Sequence, residues 1–105
     1  MVKHIVMWQL KAKALGNPRS ANAELVKAKL EALRGAIPGL LAVEVGLDVS
    51  NTEASADLVL YSEFEDRKAL AAYQSHPDHE AVKEFIASVT AARWVVDYEV
   101  GATGG

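Results

Sequence analysis

Leu41, Val43, Val45, Leu47 and Val49 recur at every second position, with Ala42, Glu44, Gly46 and Asp48 between them. Side chains alternate across a strand with period two, so this spacing predicts a strand over residues 40–49 with one continuously aliphatic face. Left in water, five such side chains would forfeit on the order of 10 kcal/mol, at ~1.5 to 3 kcal/mol each, which is comparable with the whole stability of a small domain. The row therefore needs a cover, either helices of the same chain or a partner. Gly46 within it reads as a bulge or a close backbone approach.

Three further stretches alternate in the same way. Over residues 3–10, His4, Val6, Trp8 and Leu10 share one face, and Lys3, Ile5, Met7 and Gln9 the other. Over residues 58–64, Leu58, Leu60 and Phe64 oppose Val59 and Tyr61. Over residues 94–100, Trp94, Val96, Tyr98 and Val100 oppose Val95, Asp97 and Glu99. Apolar groups on both faces imply strands covered on both sides.

Between the strands the period changes to that of a helix. Gly16, Asn17 and Pro18 mark a linking region over residues 12–22, with Ser20 as the candidate N-cap of the first helix. In that helix Val26, Leu30, Leu33 and Ile37 form one stripe, while Lys27, Lys29, Glu31 and Arg34 take the opposite side as solvent cover, and Pro38-Gly39 stops it. After a loop over residues 50–56 and the third strand, Asp66 caps a second helical region in which Leu70 and Tyr73 share a face. Pro77 interrupts it, placing His76 at a bend and opening a further segment whose inward stripe is His79, Val82, Ile86 and Val89, with Phe85 beside it.

The order is β-α-β-β-α-β. With right-handed crossovers it gives an α+β, ferredoxin-like domain over residues 1–100: a four-stranded antiparallel sheet with both helices on one face, and after it a small flexible tail at residues 101–105. If the aliphatic row faces the helices, Ile5, Met7, Val59 and Val95 carry an exposed apolar load. If it does not, the row itself is exposed. Both arrangements favour a homodimer made sheet to sheet.

At 105 residues the chain has room for one domain, whose limited burial makes self-association useful. The formal net charge of −3 and the scatter of its 11 Lys and Arg point away from nucleic acid and anionic membranes as partners. It has no cysteine, which excludes disulfides, thiolate nucleophiles and Cys-based metal sites. Lacking a run near the ~20 apolar residues of a membrane span and a signal-like start, it is expected to be soluble and cytoplasmic.

Chemistry concentrates in Tyr73-x-x-His76-Pro77-x-His79, which holds two of the three histidines. An imidazole on an apolar face, one bend from an inward phenol, is a pair that acid–base chemistry can use; a half-buried His or Tyr equally serves by filling space and bonding a backbone carbonyl. His4, on one face with Trp8, is placed to approach the covering helix. His76 and His79 with Asp78 and Glu80 do not suggest a metal site, because Pro77 disturbs the register and acids at a helix start answer the macrodipole.

These residues carry a resemblance. Val2-Lys3-His4-Ile5-Val6, Ile37-Pro38-Gly39, Val45-Gly46, the run from Asp57 to Phe64, Tyr73 to His79, and Val95-Val96-Asp97-Tyr98 together resemble the stress-responsive A/B barrel domain family. The resemblance covers nearly the whole chain and implies protomers that pair through their sheets into a dimeric α+β barrel. It implies no cofactor. Distant similarity to olivetolic acid cyclase, which closes a linear polyketide without metal or organic cofactor, places the catalytic roles on His79 and Tyr73. His79 would take a proton α to a carbonyl and Tyr73 would polarise the oxygen. His4, Trp8 and His76 are then the candidates for binding a small apolar or aromatic molecule between sheet and helices. The dimeric-barrel monooxygenases, some of them haem-degrading, share the architecture and form another branch of the expectation.

Overall fold

A computed structural model describes residues 1–101. Its elements are β1 (Val2–Leu10), β2 (Lys13–Ala14), β3 (Asn17–Pro18), α1 (Arg19–Glu31), β4 (Leu40–Leu47), β5 (Leu58–Phe64), α2 (Arg67–Gln74), α3 (Pro77–Val89) and β6 (Thr90–Glu99). β4, β5, β1 and β6 form one antiparallel four-stranded sheet in that spatial order, so the ferredoxin-like arrangement expected from the element order is the one observed. Of the tail expected at residues 101–105, all but the first residue lie outside the described residues.

The core lies between the sheet and the helices. Val6, Leu60, Phe64 and Val45 from the strands meet Val26, Leu30, Ile86 and Val89 from α1 and α3. The period-two and period-3.6 stripes read from the sequence coincide with this interior.

Four local readings are corrected. First, residues 13–18 form a small hairpin in place of a plain linker: Leu15 and Gly16, at φ 52 and 78, make the two-residue turn with positive φ at both positions that suits the twist of a hairpin. Pro18, extended at its end, becomes the N-cap of α1 without a side-chain bond, and Ser20 falls inside the first turn. Asn22, fully buried, ties helix to hairpin by donating to the Ala14 carbonyl at 3.0 Å.

Second, α1 ends at Glu31, not at Pro38-Gly39. Tighter bonds come after it, from Leu33 N–H to Leu30 O and from Ala36 N–H to Leu33 O, and Gly35 turns the chain at φ 79. Leu33 and Ile37 remain buried all the same, because these turns keep them on the core side.

Third, the charges of α1 and of the turn after it are more than solvent cover. β4 is an edge strand, and its free edge needs partners. Lys27 Nζ donates to Val45 O at 2.7 Å, Arg34 Nη2 donates to Val43 O at 2.6 Å, and Glu31 Oε2 accepts from Val45 N at 3.2 Å. The Lys27 ammonium and then the Val45 N–H hold the Glu31 carboxyl below its ordinary pKa.

Fourth, the aliphatic row is split. A register shift between Leu40 and Ala42 places a bulge at Leu41, which turns its side chain out, and Val49 lies beyond the strand in solvent. Val43, Val45 and Leu47 face the helices, opposite Ser62, Leu60 and Leu58. Gly46 lies in regular register opposite Val59, whose Cγ1 would sit 3.4 Å from an added Cβ, so it marks a close approach and the bulge is elsewhere.

The other sheet face is uncovered and apolar. Ile5, Val59 and Tyr61 lie on it beside Met7, Trp94, Val96 and Tyr98, the last four 40%, 50%, 57% and 43% exposed. Val95, expected in this group, is opposite Val6 in the register and therefore on the helix side of the sheet, yet it too is exposed, at 44%. Among the described residues no helix is long and apolar enough to cross a membrane.

Candidate functional site

A pocket of about 550 Å³ opens between the sheet and the helices. Alternation along β1 sends His4, Val6 and Trp8 into it; Leu60 comes from β5, Leu30 from α1, and His79 and Ile86 from α3. Gln74, Lys83 and Arg93 are its exposed polar lining.

The proline places His79. Pro77 takes the first position of α3, where a missing N–H costs nothing, and His76 becomes the N-cap, its Nδ1 accepting from Asp78 N at 3.1 Å. His76 thus lies at the helix end and is not among the residues lining the pocket. His79, one turn on, is 9% exposed and faces the pocket. Burial pushes its pKa down to about 4, against the opposing effect of a hydrogen bond to the Gln74 backbone. Nδ1 of this ring is buried without a hydrogen-bond partner among the described residues. A neutral imidazole carries one N–H donor and one acceptor lone pair.

Tyr73 packs behind His79. Their ring centroids are 3.9 Å apart with planes inclined at 30°, and Phe64 supports the tyrosine from 4.9 Å. Tyr73 is 2% exposed, and burial raises its hydroxyl to about 12, so it stays a protonated phenol. The structure therefore brings Tyr73 and His79 together, with His79 on the pocket wall and Tyr73 one layer deeper.

His4, also buried, is held through Nδ1 by the carboxylate of Asp97, its partner across the β1–β6 register. Trp8, further along the same face of β1 beyond Val6, is buried too, and its indole Nε1 has no partner among the described residues. Asp97 and Arg93 were not singled out from the sequence. The available signal was two charged residues at inward-facing positions of a strand, four residues apart, which becomes informative only once the register with β1 is known.

The depressed pKa of His79 has a consequence for stability. The unfolded chain takes up a proton near 6.5 while the folded protein resists it until about 4, so stability present above pH 6.5 is lost as the pH falls through this window. By pH 5 the loss should reach about 2 kcal/mol. Urea unfolding at pH 7.5 and pH 5 measures it, with His79→Gln as the control that lacks the effect. An equal fall in both proteins would show that His79 is not the group responsible.

The family described as Stress responsive A/B Barrel Domain matches residues 2–100. A dimeric protein of unknown function and ferredoxin-like fold from Bacteroides fragilis is 33% identical, with 93% of this chain and 94% of that one covered and a TM-score of 0.79. A dimeric ferredoxin-like protein of unknown function from Thermobifida fusca is 27% identical over 92% and 88% of the two chains, with a TM-score of 0.80. The hydroxynitrile lyase of Passiflora edulis, at 18% identity over 96% and 94% and a TM-score of 0.77, shares the fold. No curated protein matches the chain.

Proposed function

The chain belongs to the stress-responsive A/B barrel domain family, and from that premise we propose that it acts as a homodimer, each protomer holding a small apolar or aromatic molecule between sheet and helices. One observation carries the ligand: the pocket wall contains two buried polar side chains whose Trp8 Nε1 and His79 Nδ1 have no partner among the described residues. Buried donors and acceptors are costly to leave unpaired, at about 1–3 kcal/mol each, and a bound molecule satisfies them. The walls between them, from Val6, Leu30, Leu60 and Ile86, suit a flat apolar body. The dimer is supported by the uncovered apolar sheet face and by relatives that are themselves dimeric.

The test is an NMR titration with small aromatic compounds. The protein has two tryptophans on opposite faces of the sheet, which serve as probe and control. Saturable shifts of the Trp8 indole and the His79 and His4 rings, with Trp94 and His76 still, are expected. Resonances of Trp8 and His79 that stay fixed across the panel would make the pocket mere packing.

A second reading, a cofactor-free lyase or cyclase, is favoured by the contact of Tyr73 with His79. In it the neutral imidazole of His79 takes the substrate proton and Tyr73 supports the ring from behind. A Tyr73→Phe protein that keeps the fold and full turnover would remove the phenol from that mechanism.

A further inference from the structure

The charges around the pocket say more than its volume. The chain carries 14 Asp and Glu against 11 Lys and Arg, yet among the described residues no acidic one lines the pocket and two cations, Lys83 and Arg93, do. Lys83 is engaged with Glu80 at 3.1 Å in an exposed pair of the kind that contributes little. Arg93 makes no ion pair or hydrogen bond among the described residues. It is the cross-strand partner of Trp8, so guanidinium and indole leave the sheet side by side on the helix face. A planar fork of N–H donors beside one buried N–H donor, above apolar walls, is a receptor for a carboxylate.

The opposite wall has an unpartnered atom of its own. His79 Nδ1 is buried without a partner among the described residues, and a ligand hydroxyl, which both donates and accepts, satisfies it in either tautomer of the neutral ring. The two ends of the pocket thus ask for different groups on one molecule, a carboxylate at the β6 side and a hydroxyl at the α3 side.

We propose that this pocket takes a small hydroxylated carboxylic acid, its carboxylate held by Arg93 and the Trp8 indole, its apolar or aromatic body against Val6, Leu60 and Ile86, and its hydroxyl hydrogen-bonded to His79. The inference rests on the reading that the pocket binds a small molecule, and it adds the sign of the charge and the direction in which the ligand lies. Lys83 adds long-range attraction at the mouth and no geometric constraint.

Calorimetric and NMR titration with 4-hydroxybenzoate, 4-hydroxyphenylacetate and 4-hydroxycinnamate, each against its methyl ester and against the acid lacking the ring hydroxyl, tests it. The best-fitting acid is expected to bind roughly tenfold or more tighter than its ester, as a charge-assisted contact does. The acid without the hydroxyl should bind several-fold more weakly. Arg93→Gln, at an exposed position and so harmless to the fold, should bring the acid down to the affinity of the ester and leave the ester unchanged. Raising salt should weaken the acid alone. Esters that bind as tightly as acids, or an Arg93→Gln protein that loses both alike, would overturn the carboxylate assignment while leaving the pocket as a binding site. If no compound of any form binds and the Trp8 indole never moves, this inference and the binding function fall together.

Discussion

Replacing Val96 with Asp should leave the protomer folded and abolish its self-association. Val96 lies on the uncovered sheet face, 57% exposed and opposite Ile5, with Trp94 and Tyr98 on either side along β6. Nothing in the protomer packs over it, so a carboxylate there meets water in the isolated chain. In a sheet-to-sheet dimer the same carboxylate would be buried without a partner, which costs several kcal/mol and raises the dissociation constant by at least roughly 100-fold. The outer edge of β4 offers no easy substitute route, because Lys27, Glu31 and Arg34 already occupy its Val43 and Val45 backbone groups. Size-exclusion chromatography with light scattering at micromolar concentration decides the matter. A wild-type dimer and a Val96→Asp monomer with an unchanged circular dichroism spectrum are expected; a wild-type monomer, or a variant that still dimerises, would refute the face as the interface.

The second large effect is expected at Gly39, where the chain leaves the turns after α1 and enters β4. Its φ of 81° lies in the left-handed region, and an added Cβ would come 2.6 Å from the Cβ of Ala69 on α2. The backbone there is pinned as well, since Gly39 O accepts from Glu65 N at 3.0 Å. Gly39→Ala therefore adds backbone strain to a clash that only movement of α2 can relieve, and should cost about 3 kcal/mol. That is a large share of the ~5–15 kcal/mol available to a domain of this kind. Gly16→Ala separates the two contributions: its φ is 78°, but nothing lies within 4 Å of the added carbon, so only the strain remains, about 1 kcal/mol. Urea unfolding of both variants measures the difference. Equal losses would mean that α2 shifts freely and the clash counts for nothing.

The Gly39 contact also explains the placement of the catalytic candidates. α2 is held against the entrance to β4, its last residues carry Tyr73 and Gln74, and the bend at His76-Pro77 then returns α3 over the sheet. Tyr73 and His79 were recognisable as neighbours from sequence because each sits on an apolar stripe and a single bend separates them. Their layering was not, because it depends on Phe64, a residue of β5 that backs Tyr73 and leaves His79 toward the pocket. The depressed pKa of His79 has the same origin, since desolvation is a property of the assembled core.

Local periodicity by itself determined most of the architecture. The inward set His4, Val6, Trp8 and Leu10, the helical stripe Val26, Leu30, Leu33 and Ile37, and the break at Pro77 are consequences of bond geometry and steric limits acting within a few residues, and they survive in any fold that buries them. The tertiary structure decided whatever depends on register and edges. A bulge at Leu41 divided one aliphatic row into a buried part and an exposed part, because a shift of one residue reverses the face of every side chain beyond it. Two charges of α1, Lys27 and Glu31, and Arg34 just after it became the closure of a sheet edge because β4 happens to be outermost. Asp97 reached His4 across 93 positions of chain, and Arg93 reached the level of Trp8, because β1 and β6 hold one register from Val2 to Gln9. Contacts of that separation are selected by the packing of the whole domain, and no local pattern encodes them.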